Sequence, residues 1–270
     1  MKDYHIHTKY SDGEYNENQI IEKVISAGVT DFAICDHDTF EGSKKVFDII
    51  KNSVNDIKFH SGIELSCNTN YFKKPVNMHI LIHDYNYEDE DVISFIETIS
   101  SLRLIKLKRM IEFVEKEYNI KVNMQDVNKL LAQTNTIGKP HIYKVISKYH
   151  DINREDYYNK MNNLKTNDLK LCAEDVVKKL SAKNYQVTLA HPIEIMEEYN
   201  FTFDDIDILV GYLKQLGLNG LEVYHSKQTK QQQKIFLGIA NKYNLRATYG
   251  SDFHGENVKP NVYIGKCYKD

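Results

Sequence analysis

The feature that most restricts this chain is a rhythm. Short apolar runs rich in β-branched residues, at 32–35, 58–65, 78–82, 186–190, 220–223 and 246–249, alternate with helical periodicity at 18–27, 42–54, 203–216 and 228–243. Strand and helix in alternation imply parallel strands joined by helical crossovers, hence an α/β barrel or an open doubly wound sheet. One stretch breaks the pattern. From 89 to 183 there is almost no strand signal, only helix-like segments at 92–118, 125–133 and 141–148. The expected organisation is an α/β framework built from 1–88 and 184–270, with 89–183 as an inserted helical subdomain. No repeat, low-complexity tract or proline-rich linker interrupts it.

The charge balance excludes one class of partner. With 35 basic and 38 acidic residues the net charge is −3, which gives no electrostatic footprint for long duplex nucleic acid and leaves room for a small or short anionic substrate. Cys35, Cys67, Cys172 and Cys267 are widely spaced with no CxxC pair, as expected for reduced thiols in the cytoplasm. No apolar run approaches the roughly 20 residues that span a bilayer, and the N-terminus lacks a signal-peptide core. No membrane association is expected. The 19 tyrosines are scattered and read as amphipathic packing residues.

The ionisable residues gather where that framework would place a site. His5 and His7 lie two apart, so on a strand they face the same side, and Asp12 follows closely. Glu64 closes the run 58–65, His191 follows 186–190, His37 follows 32–35, and Asp252 and His254 follow 246–249. Catalytic residues of parallel α/β folds collect at the carboxyl ends of strands. His79, flanked by apolar residues, would alone read as a satisfied core histidine, and a terminal His-x-His pair as solvated. Together these residues argue otherwise. Nine candidate ligands (His5, His7, Asp12, His37, Glu64, His79, His191, Asp252, His254) exceed one tetrahedral sphere and imply two or three divalent ions, with a carboxylate such as Glu64 bridging. Nitrogen and oxygen donors suit Mn²⁺, Fe²⁺ or Zn²⁺. Clustered ions favour phosphoryl or hydrolytic chemistry, because they acidify a bridging water and clamp an in-line displacement. Of the remaining candidates, His60 reads as a structural hydrogen-bonding residue beneath the site, His225 as a lining residue of the substrate pocket, His150 as surface and Cys67 as packing.

The segments HIHTKYSDG (5–13), ICDHDT (34–39), SGIELS (61–66), MHILIHDYN (78–86), LAHP (189–192), GLEVYHS (220–226) and GSDFHG (250–255) closely resemble the PHP family, named for polymerase and histidinol phosphatase domains, and within it the TrpH-like phosphoesterases. The resemblance implies a distorted (β/α)₇ TIM-like barrel with a trinuclear site. The first ion would take His5, His7, Glu64 and Asp252, the second Glu64, His79 and His191, and the third Asp12, His37 and His254. Asp36 and Asp38 become partners that orient an imidazole, and His83, past the point where the family pattern stops, a rim or supporting residue. Glu64, Asp252, His191 and His254 form the catalytic set. The helical insertion is also a family feature, and the family's Gly-Arg-Pro-His motif stands here as Gly138-Lys139-Pro140-His141. Lysine keeps the charge and loses the bidentate fork. Lys139 and His141 are therefore expected to hold substrate. Arg103, Lys106 and Arg109 share a helical face by their three-residue spacing; the two arginines are further substrate contacts, and Lys106 is read as solvated. The implied activity is phosphoester hydrolysis by a metal-bridging hydroxide, on nucleoside 3′,5′-bisphosphates or short 5′-phosphorylated oligoribonucleotides. The alternatives are a histidinol-phosphate phosphatase and a noncatalytic metal-stabilised binding domain.

Overall fold

The computed structural model describes residues 1–51, 57–131, 137–166 and 168–268. In chain order the elements are β1 (Lys2–Ile6), α1 (Glu17–Ser26), β2 (Asp31–Ile34), α2 (Glu41–Ile50), β3 (Lys58–His60), β4 (Gly62–Thr69), β5 (Val76–His83), α3 (Glu90–Tyr118), α4 (Met124–Leu131), α5 (Lys139–Ile146), α6 (Arg154–Asn162), β6 (Leu171–Cys172), α7 (Ala173–Ser181), β7 (Gln186–Leu189), α8 (Pro192–Tyr199), α9 (Phe203–Gln215), β8 (Gly220–His225), α10 (Lys230–Lys242) and β9 (Arg246–Gly250). The ends of two expected helices, 52–54 and 132–133, lie outside the described residues. Several helices are started by their own side chains. Asn16 accepts from the Gln19 amide while Gln19 accepts from that of Asn16, each at 3.0 Å, and Thr202 with Asp205 and Thr229 with Gln232 repeat this capping box ahead of α9 and α10.

The architecture is mixed α/β. A parallel sheet holds β1, β2 and β3, and a second sheet has the order β6-β4-β5-β7-β8-β9. The expectation of parallel strands fails at β5, which runs antiparallel to both β4 and β7. Only residues 70–75 join β4 to β5. That is too short for a crossover helix, so the chain turns back as a hairpin. The run 58–65 is also divided. β3 stays on β2, Ser61 breaks the strand, and β4 leaves across the end of β2. A Cβ at position 62 would lie 2.5 Å from the Ile34 carbonyl oxygen and 2.7 Å from Cys35 Sγ, so this approach requires Gly62. Among the described residues the ladders therefore form two sheets, with no continuous ladder joining them into one barrel. Single parallel bridges, Ile6 with Phe253 and His37 with Glu64, lie between them.

Met1–Ile96 with Leu171–Asp270 form one compact unit, and Glu97–Lys170 another. In the first, Ile6, Ile20, Val24, Phe32, Ile34, Val46 and Phe253 are buried together around β1, β2, α1 and α2, each such side chain contributing roughly 1.5–3 kcal/mol. The helical second unit has its own core of Leu107, Met110, Val114, Val127, Ile142, Val145, Tyr157 and Met161. It is narrower than the 89–183 stretch read from the sequence, because α7 packs on β4, β5 and β7 of the first unit. No described helix is long and apolar enough to cross a membrane.

Candidate metal centre

β1 carries His5 and delivers His7 one residue beyond its end. The chain leaving β9 is tied alongside: the Asp252 amide donates to the His5 carbonyl at 2.8 Å, and the His7 amide to that of Phe253 at 2.9 Å. The two pairs from opposite ends of the sequence thus meet. The rings of His7 and His254 stack with centroids 3.8 Å apart, and Asp252 Oδ1 lies 3.3 Å from both His7 Nε2 and His254 Nδ1. Asp12, on the loop after β1, lies 3.5 Å from His7 Nδ1, 3.3 Å from His254 Nε2 and 3.7 Å from His37 Nε2. Asp252 and His191 have φ of 58° and 23°, strain on the order of 1–3 kcal/mol for each residue. Neighbours impose it: Asp252 through its bond to His5, and His191 through its amide, which donates to Glu222 Oε2 at 2.7 Å.

Glu64 does not close a strand, as the run 58–65 had suggested, but lies inside β4. It is nevertheless central. Oε1 is 2.9 Å from both His79 Nδ1 and His191 Nε2, while Oε2 is 3.3 Å from His5 Nε2, 3.2 Å from His7 Nε2 and 3.0 Å from His37 Nδ1. His79 reaches it from antiparallel β5, opposite Ser66. Three of these approaches lack hydrogen-bond geometry: His5 Nε2, His7 Nε2, His37 Nδ1 and Glu64 Oε2 are buried with no hydrogen-bond partner, as is His7 Nδ1 beside Asp12. Buried polar atoms are rarely left so, and orphaned lone pairs converging on one space are what a shared cation satisfies. Three groups (His7, Asp12, His37 and His254; His5, His7 and Glu64; His37, Glu64 and His79) each offer ligand atoms within 4.8 Å of one another. The residues therefore fit divalent ions with nitrogen and oxygen coordination.

The field agrees. Burial alone would lower the basicity of His5 and His7, yet Glu64, Glu222 and Asp252 hold His5 well above the usual imidazole range, and Asp252 and Glu64 raise His7 to about 9. Burial would raise Glu64, Asp252 and Asp12. Instead His37, His79 and His5 keep Glu64 well down, Lys259 and His5 do so for Asp252, and His254 and His37 for Asp12. Burial lowers His37 and His254. This is an anionic pocket demanding positive charge, which divalent ions meet as protons do.

Two expected imidazole partners have other work. Asp36 accepts from the Thr8 amide, Thr8 Oγ1 and Ser11 Oγ, each at 2.7 Å, and so fixes the loop that carries Asp12. Asp38 accepts from the Ser66 amide at 2.7 Å and its hydroxyl at 2.9 Å. The carboxylate that orients an imidazole is Glu222, fully buried, with Oε1 3.0 Å from His5 Nδ1 and Oε2 accepting from the His191 backbone amide at 2.7 Å. Glu194, one helical turn past His191, lies 3.3 Å from its Nδ1 and pairs with Lys227. Lys259 pairs with Asp252, and Asp3 accepts from the amides of His5, Ser251 and Gly265. Sequence reasoning missed these four. A three-residue spacing from His191 was the signal for Glu194; Glu222 and His225 both point inward because the pairing of β8 with β9 shifts between Glu222 and Tyr224.

His225, expected in a substrate pocket, is fully buried, its Nε2 3.4 Å from Asp252 Oδ2. His83 is not at a rim: it is buried with Nε2 2.8 Å from the Tyr4 carbonyl oxygen and 3.3 Å from Cys35 Sγ. His60 lies between Asp31, at 2.9 Å, and Asp84, at 2.5 Å. Cys67 is buried, and His150 is half-buried. In the second unit, Arg109 forms a two-oxygen pair with Asp168 at 2.9 Å, Lys139 donates to Asn162 at 2.8 Å, and His141 Nδ1 accepts the Gly138 amide at 3.1 Å as part of the α5 cap. Burial lowers both Lys139 and His141. Arg103 and Lys106 lie half-buried on α3.

Two curated relatives align along nearly the whole chain. A 5′-3′ exoribonuclease of Haemophilus influenzae is 25% identical over 258 residues, 93% of this chain and 89% of its own. A phosphoribosyl 1,2-cyclic phosphate 1,2-diphosphodiesterase of Eggerthella lenta is 24% identical over 266 residues, 95% of each. Among solved structures, a Bifidobacterium adolescentis protein assigned as a metal-dependent phosphoesterase superposes with a TM-score of 0.75 at 24% identity, covering 100% of this chain and 92% of that one. An amidohydrolase of Chromobacterium violaceum gives 0.71 at 19%, covering 99% and 93%. The PHP domain model matches residues 3–254, so that the chain belongs to the PHP family and is a phosphoric-ester hydrolase.

Proposed function

We propose that this hydrolase acts through two or three divalent ions held by His5, His7, Asp12, His37, Glu64, His79, His191, Asp252 and His254, with Mn²⁺, Fe²⁺ or Zn²⁺ as the candidates, and that its substrates are nucleoside 3′,5′-bisphosphates or short 5′-phosphorylated oligoribonucleotides. The observation that carries the reading is the set of orphaned nitrogens and oxygens converging on Glu64. When bound, such ions supply a water-derived nucleophile at neutral pH and polarise the phosphoryl oxygens. The protein's own part is orientation. Glu222 fixes His5 and the His191 backbone, Asp36 fixes the loop of Asp12, and Asp3 fixes the strand return that brings Asp252 to His5. The bridges between the two sheets, Ile6 with Phe253 and His37 with Glu64, support a barrel-like closure that brings these residues toward one another. Lys139 and His141, in the helical unit Glu97–Lys170, are proposed substrate contacts. The names of the two relatives, one acting on RNA and one on a ribose cyclic phosphate, support a ribose-phosphate substrate.

Metal analysis of anaerobically purified protein, combined with a phosphoester panel in Mn²⁺, Fe²⁺ or Zn²⁺, tests this. Bound metal with turnover of bisphosphates or 5′-phosphorylated oligoribonucleotides is expected. Rapid turnover of histidinol phosphate with nucleotides ignored would refute the substrate class, and no hydrolysis of any ester, read as phosphate or as nucleotide released, would refute the catalytic reading.

A further inference from the structure

We infer that Lys259 is the cation of the first unit that grips the substrate's phosphate, exchanging Asp252 for it. The inference rests on the metal-dependent phosphoesterase reading. Asp252 divides its oxygens: Oδ1 faces the cluster, 3.3 Å from His7 Nε2 and His254 Nδ1, while Oδ2 carries the Lys259 ammonium and lies 3.4 Å from His225 Nε2. The Lys259 side chain is 30% exposed against 4% for Asp252. The Lys259 side chain therefore reaches from the buried cluster toward solvent, on one side from which an anion can arrive.

Charge explains why it would change partners. Five carboxylates contact the imidazoles of the cluster (Asp12, Glu64, Glu194, Glu222 and Asp252), and two ammonium groups, Lys227 and Lys259, pair with two of them. With neutral imidazoles this leaves three negative charges in excess. Two divalent ions turn the excess into one positive charge, and three ions into three. With cations in the cluster, the charge of Asp252 is shared and the ammonium beside it is repelled. A phosphate dianion is the counter-charge that ions and ammonium can hold in common, and lysine binds phosphate as a mobile point charge. Lys227 has less reason to move, because its partner Glu194 approaches a single imidazole, His191, from the outer ring nitrogen, whereas Asp252 approaches those of His5, His7, His225 and His254. The ligand class is a terminal phosphate monoester, whose second negative charge a diester lacks.

The test uses full-length, metal-loaded protein with inorganic phosphate as the probe, measured by titration calorimetry beside metal analysis, and steady-state kinetics on a monoester. Lys259→Met should weaken phosphate binding about 10–100-fold, the worth of one charged hydrogen bond. It should raise KM more than it lowers kcat and leave metal content unchanged, with Lys259→Arg recovering most of the affinity. Lys227→Met should stay within about fivefold of wild type, as for an exposed pair. A Lys259→Met protein that binds phosphate normally, or that loses metal in step with phosphate, overturns the inference and leaves Lys259 a structural counter-ion. Metal-loaded wild type that binds no phosphate overturns it too. Wild type that binds phosphate, with the Lys259 dependence, yet hydrolyses no ester refutes the enzyme reading and leaves the contact standing.

Discussion

Glu222→Gln removes one charge and almost no volume, so it isolates what this carboxylate does. Glu222 is buried, and His5, His225 and His191 keep it ionised against the effect of burial. An ionised carboxylate only accepts. His5 Nδ1, at 3.0 Å, must therefore carry the hydrogen, which leaves Nε2 as the lone pair facing Glu64 and Asp252. Glutamine cannot reproduce this. Its carbonyl must take the His191 amide, a donor that cannot change its role, now at 2.7 Å. Its NH₂ then faces His5 Nδ1 and forces the proton to Nε2, onto the atom meant for a metal. The side chain has no room to turn aside, since even a Cβ on Gly250 would fall 2.0 Å from Glu222 Oε1.

Losing a hydrogen bond to a charged group is worth about 1.5–3 kcal/mol, and a change in the partner of a metal-bound histidine typically lowers metal affinity by about 10–100-fold, which is about 1.4–2.7 kcal/mol. The two routes agree. Competition with a chelator should show weakened binding of at least one ion in that range. Metal affinity within about threefold of wild type would refute the tautomer argument, because an isosteric change would then have left His5 correctly presented.

Three further outcomes follow from the same geometry. Glu64→Gln should abolish metal-dependent hydrolysis while leaving a cooperative melt, since it removes a carboxylate that meets five imidazoles; an active variant would show that Glu64 is not the bridge. Gly62→Ala should destabilise by about 1–3 kcal/mol or more in urea unfolding, through a clash with backbone that cannot swing away. Burial holds His83 down to about 4. As pH falls from about 6.5, the unfolded chain takes up a proton that the folded chain refuses until about 4, so stability should be lost across that window by up to about 3 kcal/mol. Urea midpoints for His83→Gln should show a flatter slope between those pH values, and identical slopes would mean that His83 is charged in the fold.

What the sequence revealed and what it hid have separate physical causes. His5 and His7 were legible because two-residue spacing on extended chain puts side chains on one side whatever the sheet topology, whereas Asp252 and His254 meet them although Asp252 stands at a positive φ beyond the end of β9. The direction of β5 was not legible. Read as ending at 65 and resuming at 78, the apolar runs left twelve residues, just enough for a crossover; the strands in fact continue to Thr69 and begin at Val76, through half-exposed Ser66, Asn68 and Asn77 that carry no apolar signal. Glu222 was hidden more deeply. Regular alternation puts it on the face of half-buried Tyr224 and opposite His225, whereas the shifted register buries both Glu222 and His225. Such an irregularity has no residue signature of its own, and it forms because both sides of it are held: Glu222 by His5 and His191, His225 by Lys227 and Asp252. The same holds for the positive φ of His191 and Asp252. Aspartate and histidine tolerate that conformation better than most side chains but do not by themselves announce it, so the contacts that position the ligand atoms settle where it is used, and local reading of the chain sees which residues form the centre before it can see what aims them.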